Sequence, residues 1–173
     1  MKSKLRLIAA GALLAAVLPT GAYAQVSSPQ STTLNVSATV ASICQLSAPG
    51  NIAFGTVQAG STANTSGSVT VTCNKGAIVS ATTTSTNASG AQKRMQLGST
   101  GEFLNYTVWQ PDLANLGGCA ATQTDWNAAL TLTSLWTAAG GPKVIPVCAT
   151  TTPSGTNASG TYTDTLTVAI SFS

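Results

Sequence analysis

The feature that most constrains the fold is an alternating pattern in residues 159–173, which read SGTYTDTLTVAISFS. The large apolar members of the pattern are Tyr162, Leu166, Val168, Ile170 and Phe172. They alternate with small residues, mostly threonine and serine, so the pattern predicts a β-strand that buries one face. Asp164 interrupts the apolar face near its start. A strand of this kind needs a second layer beneath it, and its free edge is available to another chain.

Shorter strand signals recur along the chain. We predict further strands at residues 33–40, 68–73, 77–85, 102–110, 129–136 and 143–149, because each is rich in β-branched or alternating apolar residues. Clusters of Gly, Asn, Pro and Ser separate them, and no segment after residue 24 keeps helical periodicity with caps. Many short strands with turn signals between them indicate an all-β sandwich or barrel.

The N-terminus has the composition of a secretory signal. Lys2, Lys4 and Arg6 precede the apolar run LIAAGALLAAVL, and small residues follow at 22–24. We therefore predict a signal peptide at residues 1–24 that is cleaved before Gln25. The apolar run is about half of the roughly 20 residues that a spanning helix needs, so we expect export and no stable membrane insertion.

The charge of the mature chain is near zero. Four cations remain after residue 24, and four carboxylates balance them; these residues are Lys75, Lys93, Arg94, Lys143, Glu102, Asp112, Asp125 and Asp164. Nucleic-acid binding depends on clustered Lys and Arg, so this composition argues against it. A surface with so few charges is typical of a chain that associates, because charge keeps soluble proteins apart.

The four cysteines, Cys44, Cys73, Cys119 and Cys148, are even in number and follow an export signal, so we expect disulfides. Three connectivities are possible. Sequence order favours Cys44 with Cys73 and Cys119 with Cys148, each closing a loop that stabilises the fold by about 3–4 kcal/mol in the chain-entropy model. A structural zinc site is disfavoured because the chain has no histidine and no closely spaced cysteine pair.

Catalytic residues are scarce in this sequence. Histidine is absent, and the cysteines are expected to be oxidised. Asp112 and Asp125 are 13 positions apart and are the one candidate carboxylate pair, although two solvated loop charges are the simpler interpretation. We predict that the protein is not an enzyme and binds no cofactor.

The three tryptophans offer a different possible function. Trp109 and Trp136 end alternating segments and are expected in the core, whereas Trp126 lies in the loop-like QTDWNA. An exposed Trp126 would suit an adhesive module that binds a carbohydrate or another surface through aromatic side chains.

Six segments in order resemble the spore coat protein U domain. They are a strand ending at Cys44, then IAFGTV (52–57), GSVTVTCNKG (67–76), RMQL (94–97), LNYTVW (104–109) and SGTYTDTLTVAISF (159–172). The family includes the subunits of archaic, Csu-type chaperone-usher pili. The most specific parts of the resemblance are the Phe54-Gly55 pair and the terminal Gly160, Tyr162 and Asp164.

The resemblance implies an immunoglobulin-like, pilin-type β-sandwich that lacks its last strand and is completed by donor-strand complementation. A periplasmic chaperone is then expected to fill the open groove first, and an outer-membrane usher to exchange it for the N-terminal segment of an identical or related subunit. The acceptor strand is the alternating series Tyr162, Leu166, Val168, Ile170 and Phe172. The candidate donor prongs are Leu34, Val36, Ala38 and Val40, at two-residue spacing.

These inferences divide the chain into a signal peptide (1–24), an N-terminal extension with a candidate donor strand (25–41) and a spore coat protein U-like domain (42–173). The expected function is that of an extracellular pilus subunit that supports surface adhesion and biofilm formation. Residues 33–40 are alternatively the domain's own first strand, and the protein is alternatively a secreted coat protein that self-associates without an usher. The Cys44 and Cys73 pair matches the family's recurrent disulfide, whereas Cys119 and Cys148 are an addition.

Overall fold

The computed structural model of the protein describes residues 31–47, 50–119 and 123–173. The signal peptide predicted at residues 1–24 and the beginning of the predicted extension lie outside these residues. The chain divides into two units, Met1–Ala38 and Thr39–Ser173. In the first unit, residues 31–38 are exposed and form no helix or strand. No helix in the described ranges is long and apolar enough to cross a membrane.

The described part of the second unit is built almost entirely from β-strands. They are β1 (Cys44–Ser47), β2 (Ala63–Cys73), β3 (Val79–Ser85), β4 (Lys93–Leu97), β5 (Phe103–Trp109), β6 (Leu130–Thr131), β7 (Gly141–Thr151), β8 (Tyr162–Thr163) and β9 (Leu166–Phe172). A single 3-10 turn, Thr133–Trp136, follows β6.

The strands form two antiparallel sheets. The larger has the order β1-β2-β7-β5-β4-β8, and the smaller has the order β6-β3-β9. This arrangement confirms the predicted all-β class. The β-branched runs at 68–73, 77–85, 102–110 and 143–149 correspond to β2, β3, β5 and β7, and the longest pairing joins β2 to β7 from Ala63 with Thr151 to Cys73 with Gly141.

The core lies between the two inner faces. Val71 of β2, Val79 of β3 and Val108 of β5 are fully buried there, as are Trp126 and Trp136. Trp126 closes one side of the sandwich, because its main-chain N donates to Val108 O at 2.7 Å and its indole Nε1 donates to Ala81 O of β3 at 3.3 Å. Full burial of such large side chains stabilises the fold by about 1.5–3 kcal/mol each.

The prediction of a strand at 129–136 is wrong beyond Thr131. The chain turns there because Leu132 N donates to Val79 O at 2.7 Å and Val79 N donates to the Thr133 hydroxyl at 3.1 Å. The turn directs Trp136 inward, and its indole donates to Gly141 O at 2.9 Å. Tertiary hydrogen bonds therefore override the alternating pattern at this position.

The prediction of one continuous strand at the end of the chain is also wrong. Tyr162 lies on β8 at the edge of the large sheet, whereas Leu166, Val168, Ile170 and Phe172 lie on β9 in the small sheet. Asp164 lies between the two strands, and its Oδ1 accepts hydrogen bonds from Asn87 N at 3.2 Å and Asn87 Nδ2 at 3.1 Å. These bonds anchor the crossover, so Tyr162 is not part of the acceptor strand.

Candidate functional site

The open edge of β9 is the first component of the candidate site. β9 pairs with β3 on one side and has no strand on its other side within the described residues. Ile78 and Ser173 exchange both main-chain bonds at 3.1 Å, and Thr86 N donates to Thr165 O. Because bonded pairs alternate in an antiparallel ladder, the even-numbered residues of β9 direct their N–H and C=O groups toward the free edge. These residues are Leu166, Val168, Ile170 and Phe172.

Two edge strands, β1 and β9, leave inward-facing side chains uncovered. Leu46 of β1 is opposite Val71, and Phe172 of β9 is opposite Val79. Directly opposite residues share a face of the sheet, so Leu46 and Phe172 face the core. Val71 and Val79 are nevertheless fully buried, whereas Leu46 is 42% exposed and Phe172 is 45% exposed. β1 and β9, which are edge strands of the two sheets, therefore both leave a core-facing side chain partly uncovered.

A cavity of about 650 Å³ lies along the inner face of the large sheet. Its floor includes Met95 of β4, Leu104 of β5 and Thr151 of β7, and Tyr162 also lines it. Its walls are two irregular segments, residues 52–59 and 153–161. We call the cavity together with the uncovered core-facing edges of β1 and β9 the groove.

Tyr106 connects the two sides of the groove. Its ring meets Phe54 of the first wall edge-on, with centroids 6.3 Å apart, and its hydroxyl donates to Asp164 Oδ2 at 2.5 Å. Burial raises the pKa of the Tyr106 phenol above its ordinary value, and the Asp164 carboxylate raises it further by accepting a hydrogen bond from the hydroxyl and by its negative charge. The tyrosine therefore stays protonated and fixes the crossover before β9 relative to Phe54.

A glycine determines the position of the first wall. Gly50 N donates to Ser68 O at 2.7 Å, which places the segment that begins at Gly50 against β2. A Cβ on Gly67 would lie 2.6 Å from Gly50 O and 2.9 Å from the Ile52 side chain. Only glycine at position 67 allows so close an approach, and Ile52 and Phe54 then reach the core from this wall.

The predicted donor segment has the properties of an unpaired strand. Leu34, Val36 and Val40 are 81%, 93% and 83% exposed, and Ala38 is also exposed. The strand predicted at 33–40 is not formed in this chain by itself. The first strand formed within the domain is Cys44–Ser47, and both interpretations of residues 33–40 stay predictions.

Both disulfides favoured by sequence order are present. Cys44 is bonded to Cys73, which joins β1 to β2, and Cys119 is bonded to Cys148 of β7. Val147 and Ala149 belong to the core, so Cys148 between them faces the outer side of the large sheet. The second bridge therefore holds Cys119 against the outer face of the large sheet.

Trp126, the tryptophan that an adhesive module would need at the surface, is not exposed. It is completely buried, and Trp136 is buried as expected, while Trp109 is half-buried. Phe172 is the one aromatic residue in the described ranges that is exposed, and it belongs to the groove. An adhesive surface built on Trp126 is thereby excluded.

The candidate carboxylate pair has a local role. Asp112 Oδ1 accepts from Ala114 N at 2.9 Å, which forms a turn, and Asp125 is exposed. Among the described residues, no group of three or more His, Cys, Asp or Glu side chains could hold a metal ion.

Lys93 is a buried residue that the sequence did not reveal. It is 4% exposed, and its Nζ donates to Trp126 O at 3.0 Å and to Asn127 Oδ1 at 2.7 Å. Burial lowers the pKa of this ammonium, and the negative charge of Asp125 partly opposes the effect. The one indication in the sequence is that Lys93 directly precedes the RMQL segment (94–97), which is part of the family resemblance.

Comparison with known families identifies the architecture. The family model of the Spore Coat Protein U domain matches residues 30–169. The chain belongs to the Spore Coat Protein U domain family. The resemblance predicted from the order of the motifs is therefore confirmed, and the match runs from before the exposed segment at 34–40 to Ala169 within β9. No curated protein sequence matches this Spore Coat Protein U domain chain significantly.

Several solved chains are similar to this Spore Coat Protein U domain, and one of them is described here. It is the CsuC–CsuE chaperone–tip adhesion subunit pre-assembly complex from the archaic chaperone-usher Csu pili of Acinetobacter baumannii. The match has 24% sequence identity and a TM-score of 0.46, and it covers 76% of this chain and 40% of the solved chain.

Proposed function

We propose that the protein is a structural subunit of an extracellular chaperone-usher pilus that assembles by donor-strand exchange. The observation that carries the proposal is an incomplete sandwich in a chain that also bears an unpaired, alternating segment. β9 offers free main-chain groups at Leu166, Val168, Ile170 and Phe172, and these residues also face the core. Membership in the Spore Coat Protein U domain family supports the same function.

The partner of the groove is an extended chain. A strand placed beside β9 completes the ladder, and its alternate side chains enter the space between β1 and β9. The segment at 34–40 of a second subunit has the required spacing. Before assembly, a periplasmic chaperone provides the strand, and an outer-membrane usher catalyses the exchange. The protein is non-enzymatic and extracellular in this proposal, and it contributes to adhesion and biofilm formation as part of a fibre.

Binding of the donor segment depends on both its main-chain hydrogen bonds to β9 and the burial of its apolar side chains. Burying the side chains of Leu34, Val36 and Val40 contributes about 5–9 kcal/mol. Ordering seven residues of flexible chain costs about 7–14 kcal/mol. The apolar contacts alone therefore leave little or no surplus over this cost, and hydrogen bonds along β9 add about 0.5–1.5 kcal/mol each. Slow unfolding of the completed sandwich then gives the fibre its persistence.

Hydrogen exchange on the mature chain from Gln25 tests the proposal. A peptide of residues 32–41, TTLNVSATVA, is added, and a peptide with Val36→Asp serves as the matched control. We expect the first peptide to raise the unfolding temperature and to protect the amides of Leu166, Val168, Ile170 and Phe172. The odd-numbered amides of β9 are bonded to β3 without the peptide, so they change less.

Two results would count against the function. One is a stable monomer whose even-numbered β9 amides are already protected without any added strand. The other is equal stabilisation by the Val36→Asp peptide, because a charge in an apolar groove cannot replace a buried valine.

A further inference from the structure

The amine of Lys93 is buried against neutral oxygen atoms. Lys93 is the first residue of β4 and is 4% exposed, and its Nζ bonds are to the main-chain O of Trp126 and the side-chain Oδ1 of Asn127. A buried ammonium is costly, and carbonyl oxygens compensate it less than a carboxylate does. Burial also lowers the pKa of this amine, so more of it is neutral than in an exposed lysine. A neutral lysine amine is a nucleophile.

The side-chain amide of Asn127 lies within reach of this nucleophile. Lys93 Nζ is 2.7 Å from Asn127 Oδ1. Because the Cγ–Oδ1 bond is about 1.2 Å long, Cγ lies within about 3.9 Å of Nζ. Rotation about χ2, a soft torsion in asparagine, turns the face of the carbonyl toward the amine. Groups held this close react as parts of one molecule, at effective concentrations of about 10⁵–10⁸ M when they are well oriented.

A carboxylate lies on the other side of the same amide. Asn127 Nδ2 donates to Asp125 Oδ2 at 3.5 Å, and the negative charge of Asp125 acts on Lys93. The three side chains line one small pocket of about 20 Å³, which has room for a single water. Asp125 and Asn127 are both exposed, so a small molecule released at this pocket can leave. Nucleophile, carbonyl and proton acceptor are thus assembled in one place.

We propose that Lys93 and Asn127 form an intramolecular isopeptide bond and that Asp125 transfers the proton. Neutral Nζ attacks Cγ of Asn127, so that the Nζ–Cγ bond forms and the Cγ–Nδ2 bond breaks. Asp125 accepts the proton that Nζ loses and returns it to Nδ2, which leaves as ammonia. The step needs no oxidant or cofactor, and loss of the ammonia to solvent prevents its reversal. The product is a neutral amide in place of a buried cation.

The bond would supply a covalent link that the disulfides do not. Cys44–Cys73 joins β1 to β2, and Cys119–Cys148 is attached to β7, so both bridges hold the large sheet. Lys93 also belongs to the large sheet, whereas Asn127 follows Trp126, whose indole is bonded to β3 of the small sheet. The chain enters β6 of the small sheet three residues after Asn127. The new bond would therefore tie the large sheet to the segment that leads into the small one.

Mass spectrometry of the mature chain tests the bond. The chain is incubated with the 32–41 peptide, its folding is verified by near-ultraviolet circular dichroism, and its mass is measured after reduction in urea. We expect the folded chain to lose one ammonia, while a sample kept in urea throughout does not react. Trypsin, which cleaves after Lys and Arg, should release residues 76–94 and 95–143 as one branched peptide joined through Lys93 and Asn127.

Matched variants separate this bond from other losses of ammonia. Cyclisation of an N-terminal Gln25 or succinimide formation at Asn127 also releases ammonia, and neither reaction needs Lys93. Lys93→Met keeps both reactions and removes the amine, so the bond is measured as the difference between the parent chain and this variant. Asp125→Asn should slow bond formation about 100-fold or more. Asp112→Asn, the same change at a carboxylate outside the pocket, should leave the rate unchanged.

The results decide the inference without reference to donor-strand exchange, because the reaction needs only the folded domain. A folded parent chain that loses no more ammonia than Lys93→Met would overturn the bond. Separate tryptic peptides in a chain that has lost ammonia would overturn it as well. If Asp125→Asn reacts as fast as the parent chain, the bond stands and the role assigned to Asp125 is wrong.

Discussion

The hydrogen bond between Tyr106 and Asp164 fixes the crossover before β9, and removing this bond tests that role directly. Tyr106→Phe removes the hydroxyl and keeps the ring against Phe54. A hydrogen bond to a charged group contributes about 1.5–3 kcal/mol. Asp164 keeps its two bonds from Asn87 in the variant, so the carboxylate is not left without partners. We therefore expect a loss near the lower end, about 1.5 kcal/mol.

The pH dependence of the unfolding free energy tests the same interaction independently. The raised pKa of Tyr106 means that the folded protein keeps this proton when the unfolded chain, with its ordinary phenol pKa near 10, loses it. The stabilisation is fully present below about pH 10, and it falls as the pH rises from there through the folded-state pKa. The Tyr106→Phe variant should lack this alkaline loss.

Urea unfolding of the mature chain, with the 32–41 peptide at saturation, measures both effects. Tyr162→Phe is the matched control, because the Tyr162 hydroxyl donates to Ala158 O at an exposed position and no carboxylate is involved. The control should change the unfolding free energy by less than about 1 kcal/mol. The reasoning is refuted if Tyr106→Phe matches the control at neutral pH, or if it keeps the alkaline slope of the parent protein.

Three further changes have defined outcomes. Lys93→Met keeps the buried stem and removes the desolvated charge. Relative to the chain without the Lys93–Asn127 bond, the free energy of unfolding in urea should therefore stay the same or rise by up to about 2 kcal/mol, whereas Lys93→Ala should lower it. Gly67→Ala should destabilise by about 1–3 kcal/mol and weaken peptide binding in a fluorescence titration, because the new Cβ collides with the groove wall. Replacing both Cys119 and Cys148 by serine should lower stability by about 3–4 kcal/mol and leave peptide affinity unchanged, since this bridge lies on the outer face; a large affinity loss would contradict that assignment.

The sequence predicted the parts of the fold that depend on local pattern. β2, β3, β5 and β7 coincide with β-branched runs, since these residues fit a pleated, half-buried surface. The failures occur where tertiary bonds decide. Trp126 lies in a polar stretch, yet pairing of its main-chain N with β5 draws the ring between the sheets. Asp164 divides the terminal strand because its carboxylate has partners that only the folded chain brings together.

The groove was predictable in kind and not in detail. The alternation of Leu166, Val168 and Ile170 indicated a strand with one buried face, and the resemblance implied an open edge beside it. The cavity walls at 52–59 and 153–161 are irregular segments without periodicity, so no pattern placed them together. The close approach that needs Gly67 was likewise invisible, because a glycine inside a strand has several possible causes.

The bond between Cys44 and Cys73 has a mechanical consequence for a fibre of this design. Tension carried through the donor segment enters each domain at its first strand, which is only four residues long and pairs with β2 alone. Pulling on such a short strand from its end would break its hydrogen bonds one after another. The sulfur–sulfur bridge lies at the first residue of that strand, so the load passes covalently into β2, an eleven-residue strand in the interior of the sheet, before any peeling begins.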